Sequence, residues 1–182
     1  MRIVPIGLAA LYCLAGCTGM GESPDRQPAA VPSLAQTATS YYVEFQARLS
    51  TEDVPGHTYL VYGPQDSAGH PLEEHVAGFY PVAGPLGMLV GTVAFPGAIG
   101  DGFVQDYMPL LDAYRVNIGA VQYATLTRFV AEQKARPPLY SILAHNCNDW
   151  AAEAAASIGL KVPLIRALPP NLFVAELRAA NT

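Results

Sequence analysis

Cysteine is scarce in this sequence: 182 residues hold three, Cys13, Cys17 and Cys147. Only Cys147 lies in the part that reads as folded, so no disulfide can form within it. Basic side chains are also few, ten Lys and Arg against fifteen Asp and Glu, for a formal net charge of −5. That excludes a nucleic-acid-binding surface, and no Lys/Arg patch argues for electrostatic docking on a membrane. The N-terminal apolar run is too short and too interrupted to span a bilayer. No internal repeat is visible, and no metal site or cofactor is expected. What is abundant is apolar: 51% of residues are hydrophobic, ample for one core and short of two.

Met1 to Gly19 read as an export signal, with Arg2 as the charged start, a short apolar core and small residues at the close. Leu14-Ala15-Gly16-Cys17 resembles a bacterial lipobox, which implies cleavage after residue 16 and acylation of Cys17; an incidental cysteine in a plain secretory signal is the alternative. Residues 1–16 are then a lipoprotein signal peptide. Residues 17–40, made of Gly, Ser, Pro, Ala, Gln and Thr with almost no large apolar residue, form a flexible tether. Thr18 after Cys17 favours the outer membrane, facing the periplasm. The lipid on Cys17 is the only expected membrane attachment.

Residues 41–182 read as one α+β domain. Tyr41 to Leu49 alternate as a strand with Tyr41, Val43, Phe45, Ala47 and Leu49 on one face. Gly56 to Gly63 form a second strand, Pro64 to Pro71 a polar turn, and Leu72 to Pro81 a third strand closing a hairpin. Residues 82–105 read as a glycine-rich apolar loop with one short strand. Tyr114 to Ile118 are a strand. From Val121 to Lys134 the pattern is helical, with Tyr123, Leu126, Phe129 and Val130 on one face, ended by Pro137-Pro138. A short helix over Asn171 to Ala180 closes the chain.

The chemistry concentrates at Tyr140 to Gly159, an extended run breaking at Asn146 into an Ala-rich helix that a C′ glycine, Gly159, should stop. Trp150, Ala154 and Ile158 share a face, and the small residues beside them let a sheet approach closely. Cys147 sits in the first turn, where unpaired N–H groups and the helix dipole favour a thiolate. It is either an unusually good nucleophile or an ordinary buried small residue. His57, near the start of the second strand, is either its general base or a half-buried strand histidine bonded to backbone.

Gly56-His57-Thr58-Tyr59-Leu60, followed later by Asn146-Cys147-Asn148-Asp149-Trp150, resembles the circularly permuted papain-like hydrolases. That group takes in permuted NlpC-type peptidases, PPPDE peptidases and the lecithin:retinol acyltransferase relatives. The resemblance implies a papain-like core, circularly permuted, with an antiparallel sheet packed against the helix carrying Cys147. It makes Cys147 the nucleophile and His57 the base. It also implies an orienting residue on the neighbouring strand, among Glu73, Glu74 and His75. A hairpin centred near Asp66 would set His75 across from His57, though a solvated strand edge accounts for all three equally simply. The oxyanion hole would use the Cys147 N–H with Asn146 or Asn148, both of which also suit a turn. His70 is expected in solvent, and His145 either lines the site or serves as a cap or surface residue.

Three function classes follow. One is an envelope-anchored thiol hydrolase of peptide or amide bonds, with peptidoglycan stem peptides as substrate. A second is a lipid-directed acyltransferase or thioesterase of the same fold, and the third is a non-catalytic envelope module. The surroundings of Cys147 discriminate among them: a polar open groove fits peptides, a closed apolar one acyl chains, and a blocked thiol the module.

Overall fold

The computed structural model describes residues 40–49, 56–82, 94–101 and 108–182; the expected signal peptide, the acylation site Cys17 and nearly all of the tether lie outside them. Residues Gln36–Thr182 make one compact unit. Its strands are β1 (Ser40–Arg48), β2 (His57–Gln65), β3 (His75–Pro81), β4 (Phe95–Gly100), β5 (Leu110–Ile118) and β6 (Leu139–Tyr140). Its helices are α1 (Ala120–Ala135), α2 (Cys147–Ser157) and α3 (Pro170–Asn181). All strand pairings are antiparallel and the sheet order is β5-β1-β2-β3-β4-β6, so β2 is central.

Strand alternation gives the sheet two different faces. The inner row, Val43, Phe45 and Ala47 from β1, Leu60 and Tyr62 from β2, and Ala77 and Phe79 from β3, packs against all three helices. Leu126 and Val130 of α1, Trp150 of α2, and Phe173, Val174 and Leu177 of α3 complete this core. The outer row holds a smaller cluster of Tyr42, Tyr59 and Val61, with Val76 beside it. The α+β class and the antiparallel sheet behind the Cys147 helix are as expected. The expected β1 face is borne out over Val43, Phe45 and Ala47.

Boundaries shift for local reasons. Pro71 pairs with Gln65 as an isolated bridge, and Leu72 donates its N–H to Pro64 O at 2.9 Å, so residues 71–74 belong to the turn and β3 begins only at His75. β5 runs from Leu110, four residues earlier than expected, because it pairs with β1 along its whole length. The short strand expected within 82–105 is β4, and residues 83–93 lie outside the described ones.

α2 is built for close approach. Trp150, Ala151, Ala152, Ala154, Ala155 and Ile158 are all buried, and Gly159 ends the helix with φ +86° while Leu160 donates to Ala155 O at 3.0 Å. An added isobutyl group has nowhere to go. Ala155→Leu should therefore destabilise the domain by about 1–3 kcal/mol through overpacking, whereas Ala156→Leu, on the exposed side of the same turn, should change stability little. Urea unfolding followed by the fluorescence of Trp150 measures both.

Candidate functional site

Asn146 caps α2: its Oδ1 accepts the backbone N–H of Asn148 at 2.8 Å and of Asp149 at 3.4 Å, while Asp149 Oδ2 takes the Asn146 N–H at 3.0 Å. This reciprocal box starts the helix at Cys147, as the sequence implies. The thiol is buried. Backbone N–H groups of Thr58 and Asn148 point at its sulfur, and it shares a hydrogen bond with the Tyr140 hydroxyl. Burial outweighs these donors and pushes the Cys147 thiol above its ordinary range, with the Asp149 carboxylate adding to the rise. Tyr140 is held protonated first by burial and then by Cys147. At neutral pH the pair is a thiol and a phenol, both uncharged.

The asparagine beside Cys147 locks the site. Thr58 Oγ1 donates to Asn148 Oδ1 at 2.7 Å, and Asn148 Nδ2 donates to the carbonyls of Arg166 at 2.9 Å and Leu168 at 2.8 Å. Thr58 therefore belongs to the inner row, together with Leu60 and Tyr62.

His57, one residue earlier, must point the other way. Its ring lies 4.3 Å from the Tyr80 ring and 6.2 Å from the Tyr59 ring, both on the outer face. Gly78 leaves it room, since a Cβ there would come within 2.9 Å of His57 Nε2 and 2.8 Å of the Tyr80 hydroxyl. The expected Cys147–His57 pair is thus not assembled: the sheet stands between the two side chains. Burial lowers the His57 pKa to about 4, and among the described residues its Nε2 has no hydrogen-bond partner.

The other expected roles change as well. His75 pairs with Tyr62 across the hairpin and not with His57, because the turn extends to residue 74. Its Nε2 is 3.5 Å from Glu73 Oε1, and Tyr62 is four residues along β2 from Thr58, roughly 13 Å; His75 orients nothing at the thiol. The expected oxyanion donors are committed elsewhere. Asn146 Nδ2 bonds Ile142 O at 2.9 Å, and both Asn148 amide hydrogens are used; the Cys147 N–H faces its own sulfur as well as Tyr140. His145 holds Glu153 with Nε2 at 3.0 Å and stacks near Phe79, so its ring is tied to α2 and the core and does not line the site. His70 is exposed in its turn against Asp66, as expected.

Above Cys147 opens a cavity of about 460 Å³, whose walls include Leu111, Tyr140, Ile142, Leu143, Leu168 and Pro169. Its polar lining side chains are Tyr140 and three asparagines, two of them the internally bonded Asn146 and Asn148. His57 is not among its walls. A second hollow of about 400 Å³, on the exposed face of α1 around Val121 and Arg128, holds no nucleophile. Sequence reasoning missed Tyr140; its place at the end of the extended run, where the chain turns toward the helix, was the available signal. Among the described residues no group of His, Cys, Asp and Glu could hold a metal ion.

Burial of a neutral His57 has a pH signature. Above about pH 6.5 the residue is neutral whether the chain is folded or not, and its contribution is constant. Below that the unfolded chain binds a proton that the folded one refuses until about pH 4, so stability falls as pH falls across this window. The loss should approach roughly 3 kcal/mol by pH 4. Urea unfolding at pH 7.5 and 4.5 should show a shallower pH dependence for His57→Phe than for the wild type; equal slopes would mean His57 is solvated.

No family model, curated protein or solved structure matches the chain, so its function must be argued from these residues alone.

Proposed function

We propose that the domain binds the apolar chain of an amphiphile in the cavity above Cys147 without hydrolytic turnover. The observation that carries this reading is the cavity itself: its volume falls in the ~300–1,000 Å³ range of small-molecule sites, and its walls are aliphatic, glycine or proline apart from Cys147, Tyr140 and three asparagines, of which Asn146 and Asn148 are internally bonded. An alkyl chain gains about 0.8 kcal/mol for each buried CH₂, and such walls offer it no competing polar partner. A stem peptide would have to strand its own amide groups there.

Turnover has little support in the same geometry. A thiol nucleophile needs a base within about 2.6–3.2 Å, and His57 and His75 both lie elsewhere. Acyl transfer needs free donors for the oxyanion, and the side-chain amides of Asn146 and Asn148 are already committed to backbone carbonyls. The domain is then read as an envelope module on a permuted papain-like plan: the histidine strand precedes the cysteine helix and packs on it, while the histidine faces away. Residues 1–40 would hold it at the outer membrane through Cys17.

One feature favours thiol chemistry as the second reading. Three backbone N–H groups, from Thr58, Asn148 and Cys147 itself, already face the sulfur and would stabilise charge on it. A hydrolase or acyl-transfer enzyme would draw on that cradle.

A fluorescent fatty acid titrated into residues 36–182 separates these readings. Saturable binding is expected, kept in Cys147→Ala and weakened at least tenfold in Ile142→Asp, which puts a charge on the cavity wall. Absence of saturable binding would contradict the proposal. So would release of muropeptides from purified peptidoglycan that is lost in Cys147→Ala, and that result would establish the hydrolase instead.

A further inference from the structure

Large apolar side chains left in water are unevenly distributed on this domain. Nine are exposed among the described residues, and seven of them, Leu110, Leu111, Leu139, Leu143, Leu164, Ile165 and Leu172, lie on or beside segments that wall the cavity. Leu111 and Leu143 are walls themselves; Leu110 and Leu172 are chain neighbours of walls. Leu164 is fully exposed and Ile165 two-thirds exposed.

The pair stands on a strap that does not hang free. Asn148, 2% exposed, holds the carbonyls of Arg166 and Leu168, Arg166 reaches Asp149 at 3.8 Å, and Asn181 bonds both the N–H and the carbonyl of Lys161. Pro163 stiffens the segment between these anchors, and Pro169-Pro170 lead straight from the last of them into α3. The fold therefore presents two large aliphatic side chains outward from a pinned backbone, which isolated surface leucines do not require.

From this geometry we infer that the rim formed by the Leu164-Ile165 strap, Leu143 and Leu172 docks on a lipid bilayer and brings the cavity mouth to the acyl layer. The inference rests on the proposed apolar-chain site for its purpose but not for its evidence. Two features favour a bilayer as the occupant. Leu111 and Leu143 are at once cavity walls and exposed, so apolar surface runs from the cavity out to solvent and gives a chain leaving the bilayer an apolar way in. Chain length also allows it: Ser40 lies 23 residues after Cys17, a separation that can span at most roughly 80 Å, against about 30 Å for the length of β1. A domain anchored through Cys17 can thus turn the far end of its sheet, where Arg48, Gly56 and the cavity lie, toward the same membrane. Charge on the strap is offset, Arg166 lying 3.8 Å from Asp149. Insertion of apolar side chains, and not headgroup charge, supplies the attraction.

The test is co-sedimentation of residues 36–182, which carry their own core and no lipid anchor, with phosphatidylcholine vesicles. The wild type should partition onto them, with little change on adding phosphatidylglycerol or salt. Leu164→Asp/Ile165→Asp, at sites whose side chains face solvent, should cut partitioning about tenfold or more, on the scale of burying one leucine. The variant should still bind the soluble fluorescent fatty acid. Undiminished partitioning of the variant, or no partitioning of the wild type, overturns the docking surface while leaving the cavity site intact. A wild type that ignores vesicles and doubles its mass in solution, with the doubling lost in the variant, overturns it in favour of self-association. Partitioning that depends on the strap, without saturable fatty-acid binding, upholds the surface and overturns the cavity reading.

Discussion

The hydrogen bond from Thr58 to the Asn148 side chain determines what this domain can do. It is buried, it joins the central strand to the first turn of α2, and the same amide holds the two carbonyls of the strap. Each of these bonds, if lost, would strand a buried polar group at about 1–3 kcal/mol. The set therefore fixes β2, α2 and the strap as one body. It also fixes parity. With Thr58 committed to the helix side, the two-residue period of a strand sends His57 to the opposite face, and no rotamer brings it back through the sheet.

The character of the thiol follows from that parity. Without an imidazolium, Cys147 has only backbone N–H groups to set against its burial, and burial prevails. Its one side-chain partner is a phenol that is itself held protonated. Polar groups that might have served catalysis are spent on architecture: Asn146 on the cap, Asn148 on the clamp, His145 on Glu153. The proposed chain-binding role rests on this site, internally satisfied and apolar above the sulfur, and the proposed docking rim on the exposed Leu164 and its neighbours.

Much of the fold was legible in the sequence because it rests on local periodicity. The run of alanines beside Trp150, the break into a helix at Asn146, the Gly159 stop and the alternation of Val43, Phe45 and Ala47 each carry their own signal, and each stands as read. The site was less legible for a specific reason. β2 is buried on both faces, so Thr58, Leu60 and Tyr62 read no more inward than His57, Tyr59 and Val61. Periodicity could name the strand but not its sides. The third candidate failed on turn length, since pairing of Pro71 with Gln65 moved the start of β3 and with it the partner of His75. Tyr140 and the clamp role of Asn148 depend on contacts between distant segments, which no local pattern records.

Cys147 is the only thiol in residues 36–182, so its alkylation reports directly on whether the sheet separates it from His57. Iodoacetamide rates measured against pH for the wild type and for His57→Ala should give coincident curves, slow at neutral pH and rising only above the free-thiol value of about 8.5. Rapid alkylation near pH 7 that slows in His57→Ala would show that the two side chains meet, and would restore the catalytic pair in place of the binding cavity.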